Sequence, residues 1–142
     1  MSDVDALYPA AIRDHDRAPR NHGPLDGATH TATVDNPLCG DQVTLRLIVD
    51  GGAVRAAAFE GDGCTLSLAA ASLLTERLLG ATIADARALA GRFTVFVEEP
   101  PDSAVPDDLG DLAAFAGVRR FKSRRACALL AARAVRTCFV SG

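Results

Sequence analysis

The chain contains no tryptophan, one tyrosine, one methionine and a single lysine, Lys122, so arginine supplies almost all of its 15 basic residues. Nor is there an excess of positive charge. The 15 Lys and Arg stand against 18 Asp and Glu, a formal charge of −3, which argues against the electrostatic footprint of a nucleic-acid binder. Long apolar runs are missing too. The Ala/Leu-rich C-terminal stretch is interrupted by Arg133 and Arg136, short of the ~18 residues a membrane span needs. The opening MSDVDALYPAAIRDHD is acidic where a secretory signal is basic, and it has no apolar h-region, so the expectation is a cytoplasmic protein. There is no internal repeat and no low-complexity linker. There is also no C-x-x-C pair, which argues against a treble-clef or ribbon zinc site.

What remains is a 142-residue chain of 14.8 kDa, 49% apolar and 23% charged, expected to form one domain over residues 1–142. Apolar positions Val4, Leu7, Ala11 and Ile12 follow helical spacing and predict an amphipathic helix over about 5–17, with Pro9 tolerable only in its first turn. Residues 29–35 alternate and read as a strand. Val43, Leu45, Leu47 and Val49 alternate with polar residues in a second strand, and Asp50-Gly51-Gly52 turns it back into a third over 54–60. A helix over about 65–79 is closed by Gly80. Thr82 and Asp85 have the spacing of a helix-start cap, with Gly91 closing a short helix. The stretch 93–97 is open between strand and helix. Residues 98–111, with six acids and three prolines, read as an exposed loop, and a last helix runs over about 124–139. The expected class is α+β: a three-stranded antiparallel meander packed by helices.

In a reducing compartment four cysteines are ligands, nucleophiles or core residues before they are disulfides. Cys39 lies in the turn Asn36-Pro37-Leu38-Cys39-Gly40-Asp41, Cys64 where the third strand gives way to a helix, and Cys127 in the expected first turn of the last helix. Junctions are where functional side chains are exposed, and a helix N-terminus favours the thiolate that binds metals and attacks sulfur. The spacing leaves two readings open: a metal or sulfur site assembled by the fold, or small apolar residues at element ends. Cys138 sits eleven residues beyond Cys127, roughly 16 Å of helix, and reads as core. Three thiolates need a fourth ligand for a tetrahedral metal. Asp41, two residues from Cys39, is the leading candidate, with a turn-capping role as its alternative; His15, His22 and His30 compete.

Taken together, NPLCGD, FEGDGCTLSLAAAS and the late Cys127, with LYPAAIRDHDRAPRNHG before them and DLGDLAAFAGVRRF ahead of the last cysteine, resemble the NifU/IscU family of iron–sulfur cluster assembly proteins. More narrowly they resemble its SufU-type branch. IscU-type scaffolds carry a histidine immediately before the third cysteine, where this chain has Ala126, and the long acidic stretch over 93–111 looks like the SufU-type insertion. The resemblance implies an α+β fold with one zinc held by Cys39, Asp41, Cys64 and Cys127. It implies Cys39 as acceptor of persulfide sulfur from a SufS-type, PLP-dependent cysteine desulfurase, with delivery onward to a cluster assembly scaffold. Arg124, three residues before Cys127, matches a basic family position and is a candidate contact for the partner or the persulfide. SufU-type members often carry lysine where Ala126 stands. On this reading the protein is a sulfur-transfer relay that acts only beside its desulfurase. The alternatives are a scaffold building a [2Fe-2S] cluster on the same ligands, and a zinc-stabilised interaction module without sulfur chemistry.

Overall fold

A computed structural model describes residues 9–37 and 40–139. Helix α1 (Ala10–Arg17) starts directly after Pro9, whose missing N–H costs nothing at that position. Strands β1 (His30–Asn36), β2 (Asp41–Asp50) and β3 (Ala53–Asp62) form an antiparallel sheet in the order β1-β2-β3. Asp50 pairs with Ala53 across a two-residue turn, and Gly51 and Gly52 both take the positive φ (63° and 78°) that a tight hairpin demands. The sheet has one dry face. Ala32, Val34, Val43, Leu45, Leu47 and Phe59 are buried beneath it, while Thr33, Thr44, Arg46 and Glu60 pair across strands on the other side.

Helix α2 (Thr65–Leu78) is the centre of the core, with Leu66, Ala69, Ala70, Leu73, Leu74 and Leu78 all buried. Its alanines let neighbours approach closely, and its buried Ser72 and Thr75 are bonded by α1 and the segment after it. His15 Nδ1 lies 2.6 Å from Ser72 Oγ and its Nε2 3.3 Å from Glu76, while the Arg20 amide donates to Ser72 Oγ at 2.8 Å. Asn21 Nδ2 donates to Thr75 Oγ1, and the Asn21 carbonyl accepts from the Phe59 amide, so the chain after α1 is stitched to both α2 and β3.

Three expectations change. Gly91 does not end a helix: α3 runs Ile83–Glu98, capped by Thr82, whose Oγ1 accepts from the Asp85 amide. Residues 93–97 are its last turns, because Phe93, Phe96 and Val97 are spaced to reach the core from one helical face. The exposed acidic loop ends at Pro106. A 3₁₀ segment (Asp107–Arg120) follows and buries Leu109, Leu112, Phe115 and Val118. Gly110 breaks it at φ 57°, and Arg77 donates to the Leu109 and Asp108 carbonyls beside that break. Arg119 is buried across the Phe96 ring and donates to the Pro101 and Ser103 carbonyls, so it holds the preceding loop down. Finally, the C-terminal helix is two segments, α4 (Lys122–Ala128) and α5 (Leu130–Cys138), meeting at Leu129. No helix among the described residues is long and apolar enough to cross a membrane.

Candidate metal centre

Three different elements deliver the site. In the β2–β3 ladder Gln42 pairs with Asp62 and Val43 with Gly61, so one step further along the same register sets Asp41 beside Gly63 and Cys64. Side chains alternate along a strand, and Asp41 shares the inward face with Val43, Leu45 and Leu47; it is only 8% exposed. Cys64 is the N-cap of α2, and its amide donates to Asp41 Oδ2 at 3.4 Å. Cys127 arrives from α4 and is buried.

Two glycines make this approach possible. A Cβ on Gly61 would collide with the Gln42 carbonyl. One on Gly63 would collide with Ser67 Oγ and crowd the Asp41 carboxylate at 3.3–3.4 Å. Ser67 Oγ in turn donates to the Cys64 carbonyl at 3.0 Å, fixing the first turn of α2 behind Cys64.

Asp41, Cys64 and Cys127 each present a ligand atom within 4.8 Å of the other two. Tetrahedral zinc with bonds of ~2.3 Å to sulfur separates its ligand atoms by about 3.8 Å, so a contraction of at most about an ångström suits this set. One carboxylate and two thiol sulfurs, mostly withdrawn from water, are donors suited to zinc and able to hold iron. The fourth expected ligand and proposed acceptor, Cys39, lies outside the described residues.

One expectation fails on geometry. Cys127 occupies the last turn of α4, not the first turn of a helix, so among the described cysteines only Cys64 has a helix-start environment. The three histidines are employed elsewhere: His15 with Ser72 and Glu76, His22 edge-on to Phe59, and His30 against Phe139. Cys138 lies outside the cluster, half-buried against the core, and burial pushes its thiol up to about 11.

Arg124 lines a groove of about 710 Å³ that opens at Cys127, together with Asn36, Phe121, Lys122, Ser123 and Ala126. Asn36 and Phe121 did not emerge from the sequence. Asn36 has a legible signal, as the strand partner of Asp41 across a hairpin; Phe121 has none, because only the turn between the 3₁₀ segment and α4 brings it there.

The chain matches the NifU-like N terminal domain over residues 7–128. It is 38% identical over 136 residues to the zinc-dependent sulfurtransferase SufU of Bacillus subtilis (strain 168), covering 94% of this chain and 90% of the relative. It is 36% identical over 131 residues to the iron-sulfur cluster assembly scaffold protein IscU of Streptococcus pyogenes serotype M1, covering 92% and 81%. The crystal structure of the N-terminal part of a nitrogen-fixing NifU-like protein from Brucella abortus superposes with a TM-score of 0.88 at 30% identity, over 98% of this chain and 96% of that one.

Proposed function

This chain belongs to the NifU-like N-terminal domain family of iron–sulfur cluster assembly proteins, and from that premise we propose that it is a zinc-dependent sulfur acceptor serving a SufS-type cysteine desulfurase in the cytoplasm. The observation that carries the reading is the convergence of Asp41, Cys64 and Cys127 from three elements, with Cys39 two residues from Asp41 in the chain. Cys39, Asp41, Cys64 and Cys127 are the residues that would hold the metal. Bound there, zinc keeps thiolates deprotonated and gathered without redox activity of its own.

The chemistry asked of this chain is one thiol–disulfide exchange. The Cys39 thiolate attacks the outer sulfur of the desulfurase's cysteine persulfide. The donor's sulfur–sulfur bond breaks, its cysteine leaves as thiolate, and Cys39 carries the new persulfide toward a cluster assembly scaffold. No external oxidant or reductant is needed. The groove beside Cys127 is the entry path, and the Arg124 guanidinium on its wall offsets the negative charge that the persulfide and the leaving thiolate bring. Asp41 has a second task, holding the Cys64 amide and with it the first turn of α2.

Anaerobically purified protein is expected to be colourless with about one zinc per chain. After incubation with desulfurase and free cysteine, Cys39 is expected to gain one sulfur atom by mass spectrometry. Cys39→Ala should abolish both the gain and the stimulation of the desulfurase; full stimulation by that variant overturns the acceptor assignment. A second reading, assembly of a [2Fe-2S] cluster on the same four residues, draws support from the similarity to scaffolds named IscU. Iron with matching sulfide in a brown anaerobic product would establish it. Zinc without any persulfide would leave an interaction module.

A further inference from the structure

Among the described residues, none covers the outward face of helix α3 around Val95. Val95 is 58% exposed, the most exposed of the large apolar side chains among the described residues. Beside it lies a groove of about 510 Å³ bounded by Ala88, Gly91, Val95, Phe96, Pro106 and Leu109. A second groove of about 670 Å³ runs along the other flank of the same ridge, where Arg87, Thr94 and Glu98 stand with Arg136 of α5. Gly91 sits between the two with open space where a side chain would go, so the chain's own packing does not require it to be small.

Arg87 and Glu98 both stand exposed on this face. At 100° per residue Arg87 and Glu98 fall within about 20° of each other on one flank. They are eleven residues apart, roughly 16 Å along the axis, too far to pair with each other. Neither has an ion-pair partner among the described residues, in contrast to Arg92, which pairs with Asp108 on the opposite flank. Two helices crossing antiparallel about a two-fold axis bring like flanks together. Residues i and j then meet as i with j and j with i. A register placing Arg87 of one copy against Glu98 of the other makes that pair twice. The same register sets each exposed Val95 over the gap between Ala88 and Gly91 in the other copy, the mouth of the apolar groove. The charge pair and the knob-and-groove fit thus select one alignment independently.

We propose that the exposed face of α3 is a self-association surface that joins two copies of this chain antiparallel through Val95 in the Ala88–Gly91 groove, with Arg87 and Glu98 paired across the seam. The surface shares no residue with the groove at Cys127, so both protomers keep their metal centres open to a partner. One helix face covers less than the ~800 Å² per partner of a standard interface, which places the contact among weak, transient associations.

The test is sedimentation equilibrium of the full metal-loaded chain across a concentration series in reductant, with a charge swap. The weight-average mass should climb from 14.8 kDa toward twice that value. Arg87→Glu and Glu98→Arg, each setting like charges together twice, should weaken association about tenfold or more. The double variant R87E/E98R should recover it. Both positions are exposed, and unchanged circular dichroism confirms that the variants fold. A chain that stays at 14.8 kDa at millimolar concentration overturns the proposal and leaves the face to a different protein. Single variants that dimerise like the unaltered chain overturn it as well, as does a double variant no better than the singles.

Discussion

In the proposed centre Asp41 would do two jobs with one carboxylate, and the two can be separated. Asp41→Ala removes both a candidate ligand and the acceptor of the Cys64 amide. Asp41→Asn keeps an oxygen for that amide but gives up the charge. Zinc affinity, measured by chelator competition, should fall at least ~10–100-fold in the alanine variant and by less in the asparagine variant. Cys138 is the contrasting thiol. Pushed up to about 11 by burial, it is only about one-thousandth thiolate at pH 8. In metal-stripped, reduced protein it should react with iodoacetamide more slowly than Cys64, as peptide mass spectrometry would record; labelling as fast as that of Cys64 would contradict the burial argument. Its place on an apolar helical face was readable from spacing to Leu130, Ala131 and Val135. That Gly63 permits a close backbone approach was readable from its place beside Cys64; which atoms demand it was not, because the crowding comes from Ser67 and Asp41, on two other stretches of the chain.

Helix α1 is held to α2 by a polar lock that suits neutral histidine. With Nε2–H facing Glu76, Nδ1 accepts from Ser72, whose oxygen accepts in turn from the Arg20 amide. Burial first, and the nearby Arg20 charge second, hold the His15 pKa below the usual imidazole value, against the opposing pull of Glu76, Asp14 and Asp111. The unfolded chain therefore takes up the proton first as pH drops. The contribution is complete above about pH 6.5 and declines as pH falls below it. Urea midpoints between pH 8 and 5 should show this loss, and His15→Gln should flatten that part of the profile. In α3 the mid-helix Gly91 has helical geometry and room for a Cβ, so Gly91→Ala should raise the monomer's stability by up to about 1 kcal/mol, read at dilute concentration. The same position explains a misread boundary. Glycine is a helix stop only where the chain must turn, and here the buried Phe93, Phe96 and Val97 carry the helix through it.

At the scale of the molecule, the candidate centre ties the sheet to two helices that are distant in sequence: β2 through Asp41, α2 through Cys64 and α4 through Cys127. A ligand that binds only the folded arrangement stabilises it by mass action, about 4 kcal/mol at a thousandfold excess over its dissociation constant. Removing zinc with a chelator should therefore lower the melting temperature by several degrees while leaving most secondary structure in place, since the core around α2 does not depend on the centre. Collapse of the far-ultraviolet circular dichroism on chelation would show that the metal, and not the apolar core, holds the fold.

The strands, the hairpin at Gly51-Gly52, helix α2 and its closing Gly80 were legible because they follow from local chemistry: alternation of apolar residues, positive φ at glycine and helical spacing. The family was legible too, because NPLCGD and FEGDGC are contiguous motifs. Tertiary packing decided the rest. Whether 93–97 is strand or helix, where the acidic loop ends, and on which turn of which helix Cys127 stands all depend on which faces find the core. A sequence window does not contain the other side of that contact. The gathering of Asp41, Cys64 and Cys127 is of the same kind. The β2–β3 register sets the first beside the second, and the path of the chain through the 3₁₀ segment into α4 brings the third. Distances across 62 intervening residues are set by packing and not by the covalent chain.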